Sequence, residues 1–184
     1  PGARDRELVF SPLTEPRFAL AVETIYEGYL VHYGRPRLFA PGDQNTVLLL
    51  GDYLYAQGLV RLSAAGSVEA VADMGELISL CAQLRAKESG DDGPPWAASV
   101  ALLGHGVLQE TTEAPELLDR ARRAADADAV DRALTAHRQR VGRAVRHERL
   151  CGYAHRVPAG LSLRRGAIPK VALPPLPVSR ARPA

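Results

Sequence analysis

The sequence predicts an all-α fold, an antiparallel helical bundle followed by an extended, basic, proline-rich tail. Three observations lead there. Apolar residues recur at three- and four-residue steps from about residue 15 onward, the period of a helix with one buried face. Alanine and leucine abound while aromatics make up only 5%, which favours helices packed through small aliphatic side chains. No stretch alternates as a strand does, and there is no internal repeat. At 184 residues the chain fits one domain with length enough for a real core.

The elements follow in order. Residues 1–14 read as an extended segment, with Pro12 and Pro16 limiting any helix. A helical domain spans 15–155, and its first helix is expected over 15–33. Phe18, Val22, Ile25, Tyr29 and Tyr33 supply its stripe, and Gly34 and Pro36 end it. A second helix over 45–65 is capped by Asp43 or Asn45, carries Val47, Leu50, Leu54 and Gly58 on one face, and stops at Gly66. Ser67 caps a third over 67–88, with Val71, Met74, Ile78 and Cys81 as its apolar face. "PWAASVALLGHGVL" opens a fourth over 95–110, apolar nearly all round and therefore central. Pro115 suits the first turn of a fifth, which runs with a break to about 150. Residues 156–184 hold six of the fourteen prolines and read as an extended tail.

Composition narrows the function. Two cysteines do not make a disulfide scaffold, and a reducing cytoplasm is the expected compartment. No run of about 18 apolar residues offers a transmembrane helix, and the N-terminus lacks the apolar core of a signal peptide. The net charge of +2 hides a split: residues 1–136 carry 12 Lys+Arg against 20 Asp+Glu, whereas residues 137–184 carry 11 against one, Glu148. An acidic body with a basic tail points to binding of an acidic protein surface. Arg138, Arg143, Arg146, Arg164, Arg165 and Lys170 are the candidate partner-binding residues. Nucleic acid is not expected, because Tyr153 is the only aromatic after Trp96 and base stacking needs more.

One stretch carries a motif. "HYGRPRLFAPGDQNTVLLLGDYLYAQGL" places a Gly-Arg-Pro turn between two helices, with a Gly-Asp seventeen residues after its glycine. Further on, "CAQLRAKE" supplies a glutamine, Gln83. In order and spacing this resembles the polyprenyl synthetases, over roughly residues 15–90. The resemblance implies part of the isoprenoid synthase fold. It also implies a site where an Asp-Asp-x-x-Asp segment holds Mg²⁺ and two arginines hold a diphosphate. Here the aspartate-rich segment falls on "ETIYE": Glu23 and Glu27 keep two carboxylates on one helical face, but Thr24 replaces an acid. The paired arginines fall on His32 and Tyr33, poor phosphate clamps at neutral pH. Arg35 keeps the basic position in the turn, Asp52 the Gly-Asp, and Ala86 stands where an aspartate would follow Gln83. The second aspartate-rich motif has no counterpart, since no acid follows Glu148. Glu23, Glu27, Arg35, Asp52 and Gln83 are thus expected to mark a vestigial diphosphate and metal site in a truncated, catalytically inactive relative.

Two further constellations have bland readings. His147, Cys151 and His155 recur at four-residue steps and carry zinc- or haem-ligating atoms. Gly152 interrupts them and no fourth ligand is evident, so a surface helix end is expected. His105, between two glycines in an apolar run, is expected as a core histidine. No cofactor is called for. The expected function is a non-catalytic accessory or regulatory subunit that docks to a larger assembly as a hetero- or homo-oligomer. The alternatives are the small subunit of a heteromeric prenyl diphosphate synthase, or a prenyl-binding module without turnover.

Overall fold

The computed structural model describes residues 7–87 and 91–141. Among them the chain is helical throughout, with no strand. Seven helices follow a short 3₁₀ turn at Ser11–Leu13: α1 (Pro16–Tyr33), α2 (Gln44–Ala64), α3 (Val68–Ala86), α4 (Gly93–Ala101), α5 (Val107–Glu110), α6 (Ala114–Ala124) and α7 (Ala127–Val141).

The local signals act as elementary chemistry dictates. Asp43 caps α2 by accepting the N–H of Thr46 at 3.0 Å, and Ser67 caps α3 by accepting that of Ala70 at 3.1 Å, each satisfying an orphan donor of the first turn. α1 and α2 make the most extensive helix pair. They run antiparallel: Gly28 lies against Gly51 and Leu54, while Gly58 lies against Ile25 and Ala21. These glycines let the two backbones approach where any side chain would collide.

α4 is the centre of the body, with every residue from Gly93 to Val100 buried. It meets α3, α5, α6 and α7. Around Trp96 the scarce aromatics gather. Phe10 stacks on Trp96 at 5.2 Å, and Tyr26 and Tyr29 meet its edge at 5.1 and 5.4 Å. Aromatic rings in such arrangements contribute beyond the area they bury.

Three details differ from the sequence expectation. The described part of the N-terminal segment is packed rather than extended; Val9 and Phe10 are core residues. The helix expected over 95–110 breaks after Ala101, because Gly104 and Gly106 take positive φ of 92° and 66° and turn the chain. His105, between them, is exposed rather than in the core. The break expected in the helix from Pro115 is present: the helix stops at Ala124, where Ala125 is extended, and restarts at Ala127. The tail, and with it the extended reading of 156–184, lies outside the described residues.

No helix among the described residues is long and apolar enough to cross a membrane.

Candidate functional site

Glu23 and Glu27 face the same side of α1, one turn apart, as the helical period requires. Both are buried, Glu27 almost completely at 1% exposed. The cation between them is Arg37, not the Arg35 of the turn. Arg37 Nε donates to Glu27 Oε2 at 3.0 Å, and its Nη1 pairs with Glu23 Oε2. The same guanidinium reaches the carbonyls of Glu7 at 2.9 Å and Glu23 at 3.2 Å. Burial works against the Arg37 charge, but the two carboxylates outweigh it and hold the guanidinium above its ordinary pKa.

The remaining carboxylate oxygens are also engaged. Glu23 Oε1 accepts three successive backbone N–H groups, from Val9, Phe10 and Ser11, at 2.9–3.1 Å. Glu27 Oε1 accepts the N–H of Leu38 at 2.8 Å. All four oxygens therefore already take donors from this chain. Mg²⁺ wants hard oxygen ligands in near-octahedral geometry, and this pair, bridged by a guanidinium, does not fit it.

The other residues of the expected site do not join them. Arg35 is exposed and gives its guanidinium to the carbonyl of Gln139. Asp52 is exposed and meets His32 Nε2 at 3.2 Å. Burial lowers the pKa of His32 despite that acid, so the ring supplies no cation at neutral pH. Gln83 lies exposed near the end of α3. Arg138 pairs at the surface with Asp91 at 3.1 Å. Arg143, Arg146, Arg164, Arg165, Lys170 and the trio His147, Cys151 and His155 lie outside the described residues.

Sequence reasoning missed a second buried network. Arg85 grips Asp92 with two bonds, Nε to Oδ2 at 2.9 Å and Nη2 to Oδ1 at 2.8 Å. Tyr29 donates its hydroxyl to the same carboxylate and accepts from Arg85. His137 Nε2 lies 2.9 Å from Asp92 Oδ1, and its Nδ1 lies 3.1 Å from the Tyr26 hydroxyl. A carboxylate only accepts, so Nε2 carries a proton and donates to Asp92. Burial alone would raise the Asp92 pKa, but His137, Tyr29 and Arg85 together hold it below the usual carboxylate range. Burial pushes the Tyr29 and Tyr26 phenols well up.

Asp91, Asp92 and His137 bring three ligand-type atoms within 4.8 Å of one another. A metal there would compete with Arg85 for Asp92 and break the His137–Asp92 bond, so the set does not suit one. With Asp92 at 1% and His137 at 0% exposed, no substrate reaches the dyad without opening the fold. It acts as a polar bolt joining α1, α3, α4 and α7. Burial likewise pushes the Cys81 thiol well up, away from a nucleophile's range.

Above the Glu23–Arg37–Glu27 cluster lies a groove of about 400 Å³ between α1, α2 and residues 37–39. Leu8, Leu20, Leu38, Phe39 and Tyr53 line it, all exposed large hydrophobics. The signal was present in the sequence, since α2 carries apolar residues on more than one side, but periodicity alone gives one face and not two.

Against protein-family models, curated proteins and solved structures alike, the chain has no match.

Proposed function

We propose that this protein is a non-catalytic accessory subunit, a helical scaffold that works by docking to a protein partner rather than by turnover. The observation that carries this reading is the exhaustion of Glu23 and Glu27. Ionising an allylic diphosphate needs carboxylate oxygens open to Mg²⁺. Here each oxygen is taken by an N–H of the chain itself.

The outer side of α2 supports docking. Leu49, Tyr53, Ala56 and Val60 follow one another at steps of four and three residues, and all are exposed. The opposite side, with Gly51, Leu54, Gly58 and Leu62, is buried. A helix apolar on both sides is suited to cover on both.

The test has two arms. The tagged chain and a Val60→Asp variant are expressed in the protein's own cells. One partner recovered in stoichiometric amount with the wild type and lost with V60D, at unchanged circular dichroism, is the expected result. The purified chain is also incubated with isopentenyl and allylic diphosphates and Mg²⁺, where no product is expected. Mg²⁺-dependent condensation that disappears in Glu23→Gln would overturn the reading.

A further inference from the structure

We infer that the groove between α1 and α2 is a binding site for a single-chain amphiphile with one negative charge, its apolar chain in the groove and its head on Arg61. The accessory-subunit reading uses the outer side of α2, which shares only Tyr53 with the groove, and the two are tested at different residues, Val60 there and Leu20 and Arg61 here.

Scattered exposed hydrophobics are ordinary on a protein surface. Convergence is not. Five of the large exposed hydrophobics among the described residues, with Leu20 at 67% exposed, line this one concavity. Its volume of about 400 Å³ falls in the range of small-molecule pockets, roughly 300–1,000 Å³.

The polar groups of the lining say what the occupant must carry. The floor asks for nothing: Glu23, Glu27 and Arg37 satisfy one another and the nearby backbone. Thr24 turns its hydroxyl back to the carbonyl of Leu20 at 2.6 Å. Gln57, Arg61 and the Tyr53 hydroxyl remain, and of these only Arg61 carries a charge. Arg61 bonds the carbonyl and side-chain oxygens of Gln57, both at 3.3 Å and both neutral. It pairs with no carboxylate among the described residues. Arg37 is a cation already spent, and Arg61 is one still available.

The antiparallel pairing of α1 and α2 sets the orientation. Tyr53, Gln57 and Arg61 stand at successive turns of α2, while Leu20, Thr24 and Glu27 run the other way on α1. Gly58 meets Ala21, and Gly28 meets Leu54. Arg61 therefore lies at the Leu20 end, and Glu27, Leu38 and Phe39 at the other. From Tyr53 to Arg61 the wall runs about 12 Å at 1.5 Å per residue. A chain laid along it has an aromatic end and a cationic end.

Charge limits the head. Glu23 and Glu27 balance Arg37 and Arg61, so the lining sums to zero before anything binds. One anionic head finds Arg61 as its partner. A diphosphate would bring several charges to a site whose carboxylates hold no metal position, and is disfavoured.

The test uses the full chain and the fluorescent fatty acid cis-parinaric acid, displaced by dodecanoate, dodecanol or dodecyl diphosphate, all below their micellar concentrations. Saturable displacement is expected, with dodecanoate about five- to tenfold tighter than dodecanol, as one charge-assisted contact at a wet rim provides. Arg61→Gln should erase that preference and leave dodecanol unchanged. Leu20→Glu, an exposed position where folding is not at stake, should weaken both. Thermal melts establish that each variant is folded. Non-saturable uptake, a head preference that survives R61Q, or tighter binding of the diphosphate would each overturn the inference. So would a dimer, seen by light scattering, that L20E dissociates while no lipid displaces the probe, because the groove would then be a protein interface.

Discussion

Arg37→Met leaves the carboxylates of Glu23 and Glu27 buried with no cation between them. Removing one partner of a buried ion pair costs about 3–5 kcal/mol, because the charge left behind is stranded away from water. Arg37 serves two carboxylates and also donates to the carbonyls of Glu7 and Glu23, so the upper end applies. That is a large share of the roughly 5–15 kcal/mol by which a domain is stable. It corresponds to a fall in Tm of about 10–20 °C. Urea unfolding followed by far-UV circular dichroism measures it, with Arg35→Met run alongside. Arg35 is exposed and its side chain bonds one carbonyl, so its loss costs about 1 kcal/mol. The midpoint shift for R37M should be several times that for R35M. Equal shifts, or an R37M cost below about 1 kcal/mol as for an exposed pair, would refute the reasoning about the cluster.

Gly58→Ala places a Cβ 2.2 Å from Ile25 Cγ1 and 3.1 Å from the Ala21 carbonyl; after a helix-propensity gain of up to about 1 kcal/mol, a net loss of about 1–2 kcal/mol is expected in a thermal melt. Gly75→Ala on α3, where the added atom meets nothing within 4 Å, should instead stabilise by up to about 1 kcal/mol. Asp92 has a depressed pKa in the folded state, so its contribution is complete above the ordinary carboxylate pKa of about 4 and is lost as pH falls below it. Asp92→Asn should be less stable than wild type at neutral pH and show a shallower acid limb; identical acid limbs would contradict the network.

What the sequence reveals here is what depends on neighbours along the chain. Asp43 and Ser67 cap the helices they precede because an N-cap bond spans three residues. Gly34 and Gly66 mark stops for equally local reasons. The break at residues 102–106 was hidden, because "ASVALLGHGVL" reads as one apolar run. It depends on two glycine dihedrals and on Asp73, some thirty residues upstream. Motif spacing singled out Arg35, yet the geometry of the turn after Gly34 delivers Arg37 to the carboxylates. The bond between Asp92 and His137 joins residues 45 positions apart; nothing local to either one announces it. The groove escapes for the same reason, since its walls come from both α1 and α2.

The carboxylates that collect successive backbone N–H groups have a consequence for dynamics. Asp73 Oδ2 takes those of Gly104, His105 and Gly106, at 2.6, 3.0 and 3.3 Å. Glu23 Oε1 does the same for Val9, Phe10 and Ser11. Both amide triplets lie outside regular α-helix, where hydrogen exchange is ordinarily fast. Here each is tied to a buried acid on a long helix, Glu23 on α1 and Asp73 on α3. Neither turn can loosen by itself, because freeing its amides strands a buried carboxylate. These six amides are therefore expected to exchange more slowly than other amides outside the helices, which hydrogen exchange read by mass spectrometry or NMR would measure.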